Sequence, residues 1–165
     1  MKAVIQRVRW AEVSVVPERE PAATGEPAGE GQVAGRIERG LLVYVGVGTG
    51  DTPADAERLA EKVAFLRIFP DAEGKLNLSV RDVRGGVLVV PNFTLLADAR
   101  KGRRPAFDRA APADQARPLH DAFVQALRRH VGTVAAGVFG ANMIIRSAAD
   151  GPVNILIDWP GLPTG

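Results

Sequence analysis

GLLVYVGVGTGDTPADAERLAEKVAFL, residues 40–66, is the stretch on which the fold turns. The apolar run from Leu41 to Val47 suits a strand covered on both faces. Three helix-start signals follow together: Thr52 as N-cap, Pro53 at the first helical position and Asp55 in the first turn. Leu59, Val63 and Leu66 then share one face, which predicts an amphipathic helix of about 13 residues. Strand, glycines and helix also make the setting of a dinucleotide-binding turn, but the spacing fails. Counted from Gly46 and Gly48, the third glycine falls due at position 51, where Asp51 would bring a negative charge toward a pyrophosphate. The segment is a plain strand-to-helix turn.

Toward the N-terminus, residues 2–9 and 11–15 alternate, with Val4, Gln6 and Val8 opposite Ala3, Ile5 and Arg7, and predict two half-buried strands. Residues 17–31 hold almost no large apolar side chain among Pro, Gly and Glu, so they cannot repay their ordering entropy and are expected to form a mobile hairpin tip. A strand at 32–38 leads into the opening stretch. Toward the C-terminus, VLVV at 87–90 predicts another buried strand. Leu119, Phe123 and Leu127 mark a second helix, in which Pro118 predicts a kink or a separate first turn. Three last strands are expected at about 133–138, 142–148 and 153–159. Strands outnumber helices, and most connections are too short for a parallel crossover. The expected fold class is therefore α+β, a mainly antiparallel sheet with two principal helices, in a single domain spanning 1–165.

Composition removes several functions. The chain has no cysteine and two histidines, which excludes a thiol nucleophile and a disulfide framework and leaves too little for most zinc sites. No stretch approaches the roughly 18 apolar residues of a membrane span, so an intracellular protein is expected. A net charge of +2 permits an RNA partner without requiring one.

ADARKGRRPAF, residues 97–107, gathers Arg100, Lys101, Arg103 and Arg104 around a glycine, a set that can neutralise phosphates or merely stay solvated. His120 and His130 sit ten residues apart, near the helix surface by this reading, and look structural. SAADGPVNILID at 147–158 would by itself be a hairpin turn between strands, and PNFTLLAD at 91–98 the end of a buried strand.

Taken together, QRV at 6–8, GLLVYVGV at 40–47, FPDAEGKLNLSV at 69–80, VLVVPNFTLLADARKGRRPAF at 87–107, and GVFGANM followed by DGPVN at 137–154 resemble, in order and spacing, the D-aminoacyl-tRNA deacylases. The resemblance covers nearly the whole chain except residues 17 to about 31. It implies a barrel-like α+β protomer paired into a cytoplasmic homodimer, with active sites at the interface and aminoacyl-tRNA as partner. It implies neither membrane nor DNA as a partner, and no cofactor or metal. It implies further that Gly151 and Pro152, joined by a cis bond, enter the other subunit's site and admit D-amino acids and glycine, including glycine mischarged on tRNA(Ala), while excluding L-amino acids. Arg7 would brace that dipeptide, and Met143 would line the pocket. Backbone NH groups of Phe93 and Thr94 match the oxyanion donors, and an activated ester attacked by water then requires no triad.

The chain departs from the family pattern at three side chains. Pro91 and Asn92 stand where Ser-Gln is usual, and Asn154 where Thr is usual. Pro91 lacks hydroxyl and NH, Asn92 is one methylene shorter than Gln, and Asn154 trades a hydroxyl for an amide. These changes leave open a catalytically silent or altered-selectivity tRNA-binding paralogue, or a protein using only the dimer scaffold.

Overall fold

The structure, a computed structural model, describes residues 1–16, 31–100 and 102–159. The proposed insertion, except Gly31, lies outside the described residues, as does Lys101. The elements run β1 (Lys2–Val15), β2 (Gln32–Ile37), β3 (Gly40–Gly46), α1 (Pro53–Ala64), β4 (Phe69–Pro70), β5 (Leu76–Leu78), β6 (Gly86–Pro91), a 3-10 turn (Phe93–Leu96), α2 (Ala113–Arg128), β7 (Thr133–Ala136) and β8 (Met143–Asp158). Among the described residues, no helix is long and apolar enough to cross a membrane.

β1 is the spine. Along one edge it pairs antiparallel with β3 through residues 2–8 and with β2 through residues 11–15, and along the other with β8. It is one strand where the alternation predicted two, because register shifts between Gln6, Val8 and Trp10 absorb the break without ending the ladder. β8 is likewise one strand where two were expected. A hairpin at Asp150–Pro152 would have paired its two halves with each other, whereas both halves pair with β1.

The sheet is mixed. Beside the three antiparallel pairings, β3–β6 and β6–β7 are parallel, the helices α1 and α2 lying in the connections long enough to cross over. The continuous apolar runs of β3 and β6 are the sequence mark of such strands. Gly35 on β2 lies against β7 and β6, where a Cβ would come within 3.2 Å of the Ala135 Cβ, the Ala136 oxygen and Leu88 Cδ1. This close approach brings the sheet nearly shut, into a barrel-like form.

Alternation along the central strands serves two cores. Leu41, Val43 and Val45 face the helices with Leu59, Val63, Phe123 and Leu127, while Leu42, Leu88, Val90, Val8 and Val13 fill the other side. α1 begins as expected: the Thr52 amide donates to Asp55 Oδ2 at 2.9 Å and the Asp55 amide to Thr52 Oγ1 at 3.3 Å, a reciprocal capping box. α2 runs unbroken through Pro118, where a kink or separate turn was expected. Buried Ala116, Leu119, Phe123 and Leu127 hold both sides of the proline against the core, which outweighs the one helical hydrogen bond it removes.

Candidate active site

PNFTLLAD does not continue the strand. After Pro91 the chain tightens into the 3-10 turn Phe93–Leu96, tied to β3 by the Asn92 amide donating to the Val45 oxygen at 2.8 Å. Only glycine permits this approach at position 46: a Cβ there would stand 2.4 Å from Leu96 Cδ2 and 2.8 Å from the Asn92 oxygen. Gly46→Ala is accordingly expected to displace the turn and lower kcat roughly a hundredfold, with the far-ultraviolet circular dichroism retained. A variant of normal kcat would show that the turn's position does not matter.

Asn92 caps the turn. Its Oδ1 accepts from the Thr94 amide at 3.1 Å and from Thr94 Oγ1 at 2.5 Å. A short Asx side chain reaches the amide two residues on, the geometry that favours Asn in this setting. The two expected oxyanion donors therefore differ in the free protein. The Phe93 N–H, first in the turn, takes no acceptor among the described residues, while the Thr94 N–H is occupied.

Beside the turn lies a cavity of about 410 Å³ whose walls include Pro91, Asn92, Phe93, Met143, His120 and Phe139. His120 is only 3% exposed, contrary to its expected place near the surface. Its burial follows from position, four residues after buried Ala116 and three before buried Phe123 on one helix stripe. The signal in the sequence is the helical period, which runs from Ala116 through His120 to Phe123. Burial pushes its pKa down, so the ring is neutral near pH 7. Nδ1 faces Asp121 Oδ1 at 3.4 Å, and the buried Nε2 is left without a hydrogen-bond partner among the described residues.

Arg7, Gly151, Pro152 and Asn154 form a second cluster that does not line this cavity. Between the pairs Gln6–Asn154 and Val8–Ala149, β8 places residues 150–153 opposite the single residue Arg7, so the dipeptide is looped out of the ladder and exposed. The Gly151–Pro152 peptide is cis, and Gly151 holds φ at +132°. Arg7 is buried beneath it, Nε donating to the Asp150 oxygen at 3.2 Å and standing 3.1 Å from Asp150 Oδ2, Nη1 donating to the Ile68 oxygen at 2.7 Å. Asn154 Oδ1 accepts from Gln6 Nε2 at 3.0 Å. The expected site residues thus fall into two separate clusters on the chain.

The basic loop is pinned at its base by reciprocal Asp98–Ala106 backbone hydrogen bonds of 2.8 and 2.9 Å. Arg100 folds back onto Asp98, Nε at 2.9 Å from Oδ1, and this contact holds the Asp98 carboxyl well below the usual carboxylate range. The Arg100 charge is thereby largely neutralised. Arg103 and Arg104 are exposed and make no ion pair among the described residues. No group of three or more His, Asp or Glu among those residues is placed to hold a metal.

Comparison with known proteins bears on both halves. The family D-Tyr-tRNA(Tyr) deacylase matches residues 4–158. The D-aminoacyl-tRNA deacylase of Thermotoga petrophila is 48% identical over 158 residues, covering 96% of this chain and 97% of that protein. The one of Chloroflexus aurantiacus is 52% identical, covering 96% and 90%. Among solved structures, a c-Myc DNA unwinding element binding protein superposes with a TM-score of 0.83 at 35% identity, covering 98% of this chain and all of that one. A probable eukaryotic D-amino acid tRNA deacylase, at 17% identity and a TM-score of 0.75 over 94% of this chain and 97% of that one, shares the fold.

Proposed function

The chain belongs to the D-Tyr-tRNA(Tyr) deacylase family, and from that premise we propose that it hydrolyses the ester between a D-amino acid and the 3′ end of tRNA, as a cytoplasmic homodimer. The observation that carries this reading is the unengaged Phe93 N–H beside a largely apolar cavity whose lining includes His120, a buried histidine with Nε2 unpartnered among the described residues. The terminal adenosine enters that cavity and its ester carbonyl meets the Phe93 N–H. Water beside the ribose hydroxyl attacks the carbonyl carbon, and negative charge gathers on the oxygen. One preorganised donor contributes about 3 kcal/mol to such a transition state. The Thr94 N–H becomes the second donor when the Asn92 carboxamide yields it. The tetrahedral intermediate then expels the ribose oxygen, which takes the proton given up by the attacking water, and frees the amino acid.

Handedness is set by main-chain atoms. Gly151 and Pro152 of a second copy close the cavity, and their carbonyl oxygens grip the substrate amino group while leaving no room for an L side chain. Glycine, having no side chain, passes, so glycyl-tRNA(Ala) is also a substrate. The separation of the two clusters within one protomer supports this assembly, as does Leu156, 77% exposed on the same strand two residues beyond Asn154.

The Asn92 cap on Thr94 is the one observation that favours a silent paralogue that binds tRNA without cleaving it. Incubation with D-tyrosyl-tRNA separates the readings: release of D-tyrosine supports the deacylase, and stable binding with the ester intact overturns it. Arg103→Ala with Arg104→Ala is expected to weaken tRNA binding and reduce the slope of log affinity against log salt by about 1 to 2. An unchanged slope would remove the loop from the RNA contact.

A further inference from the structure

We propose that Phe93 and Phe107 form a stacking platform for the unpaired nucleobase that precedes the terminal nucleotide of the substrate. The inference rests on the deacylase reading and adds a binding element to it. Phe93 is 59% exposed and Phe107 36%, yet their rings touch, with centroids 5.2 Å apart and planes inclined by 58°. Phe65, also exposed, differs: Arg81 lies over its ring at 5.3 Å and the His130 ring stands 5.4 Å away. No cation covers either ring of the Phe93–Phe107 pair among the described residues.

Both rings are held. Phe93 starts the turn anchored to β3, and Phe107 directly follows the Asp98–Ala106 bridge while its own carbonyl accepts from the Ala110 amide at 2.9 Å. A rigid aromatic surface loses little entropy when a base stacks on it. Phe93 also lines the cavity, so a strand whose last base enters the cavity passes directly over the pair. Arg103 and Arg104, four and three residues before Phe107 and exposed, supply the charge that a phosphate backbone seeks. Aromatic faces next to a cationic loop are the combination by which proteins hold single-stranded nucleic acid with little regard to sequence. An aromatic partner from a second protein would leave that charge unused.

Full D-tyrosyl-tRNA and D-tyrosyl-adenosine, which carries the terminal nucleoside alone, provide the test. For Phe107→Ala, kcat/KM on the tRNA is expected to fall roughly tenfold or more, with D-tyrosyl-adenosine hydrolysed as by the wild type and Phe107→Trp retaining full activity on both. An equal loss on both substrates, or no loss on either, overturns the platform. So does a shift of Phe107→Ala from dimer to monomer in sedimentation, which would assign the pair to subunit contact. Should the wild type hydrolyse neither substrate, the deacylase reading fails on its own account. The platform then stands if Phe107→Ala weakens binding of uncharged tRNA by the same factor and falls if it does not.

Discussion

Gly151→Ala is expected to lower kcat/KM on D-aminoacyl-tRNA by about a hundredfold or more while leaving the protein folded. At φ +132° an L side chain is strained whatever space surrounds it, and here there is none. The added Cβ would lie 2.8 Å from Val153 Cγ2 and 2.6 Å from the Val153 nitrogen, a backbone atom two residues on that cannot swing aside. Strain on the order of 1–3 kcal/mol is relieved by moving the dipeptide. The segment is exposed and outside both cores, so the barrel survives with a melting temperature a few degrees lower. In the proposed site, a shift of about 1 Å at Pro152 spoils a wall that works by contact. Kinetics alongside thermal melting check this. Retention of most of the activity would mean that the dipeptide does not shape the site.

Arg7→Met acts one layer below. Its guanidinium ties β1 to β8 and to the start of β4: it holds Asp150 through Nε and the Ile68 carbonyl through Nη1, and packs 6.0 Å from the Phe69 ring centre. Methionine fills the stem's volume and deletes every polar contact, leaving Asp150 without its close partner and a buried carbonyl unmet. Arg9 Nε, at 3.8 Å from Asp150, offsets part of the loss. The expected cost is about 3 kcal/mol, at the low end for breaking a buried pair because Asp150 keeps some contact with water. Activity should fall with it, since the same contacts brace the residue preceding Gly151. Arg7→Lys keeps the charge and loses the fork, and should fall between. Denaturant unfolding measures the cost, and an unchanged midpoint for Arg7→Met would contradict it.

Much of this architecture could be read along the chain. The apolar runs at 41–47 and 87–90 became the central strands, and the Thr52–Pro53–Asp55 signals became the start of α1. The order of the quoted segments carried the family. What local patterns could not carry was pairing at a distance. Asp-Gly-Pro has turn chemistry, and only the length of β1 opposite explains why it is instead a bulge within one strand. The register shifts at Gln6–Trp10 likewise turn the buried side of β1 from Ile5's core to Val8's, something alternation alone cannot announce. His120 is polar by type yet buried by helical phase, and residue type alone points to the surface. The division of labour between the Phe93 and Thr94 amides depended on one methylene at Asn92, whose reach is settled by the turn's geometry and not by residue type.

In the proposed homodimer two half-sites meet only when two chains meet, and mixed dimers test that dependence most directly. Gly46→Ala damages the donor turn and Gly151→Ala the dipeptide, and each homodimer should be nearly inactive. Unfolded together and refolded at equal concentration, the two variants should recover about a quarter of wild-type activity, because half the dimers are mixed and each of those rebuilds one complete site. Activity no greater than that of the two variants assayed separately would contradict the account, and would place donor and filter within a single chain.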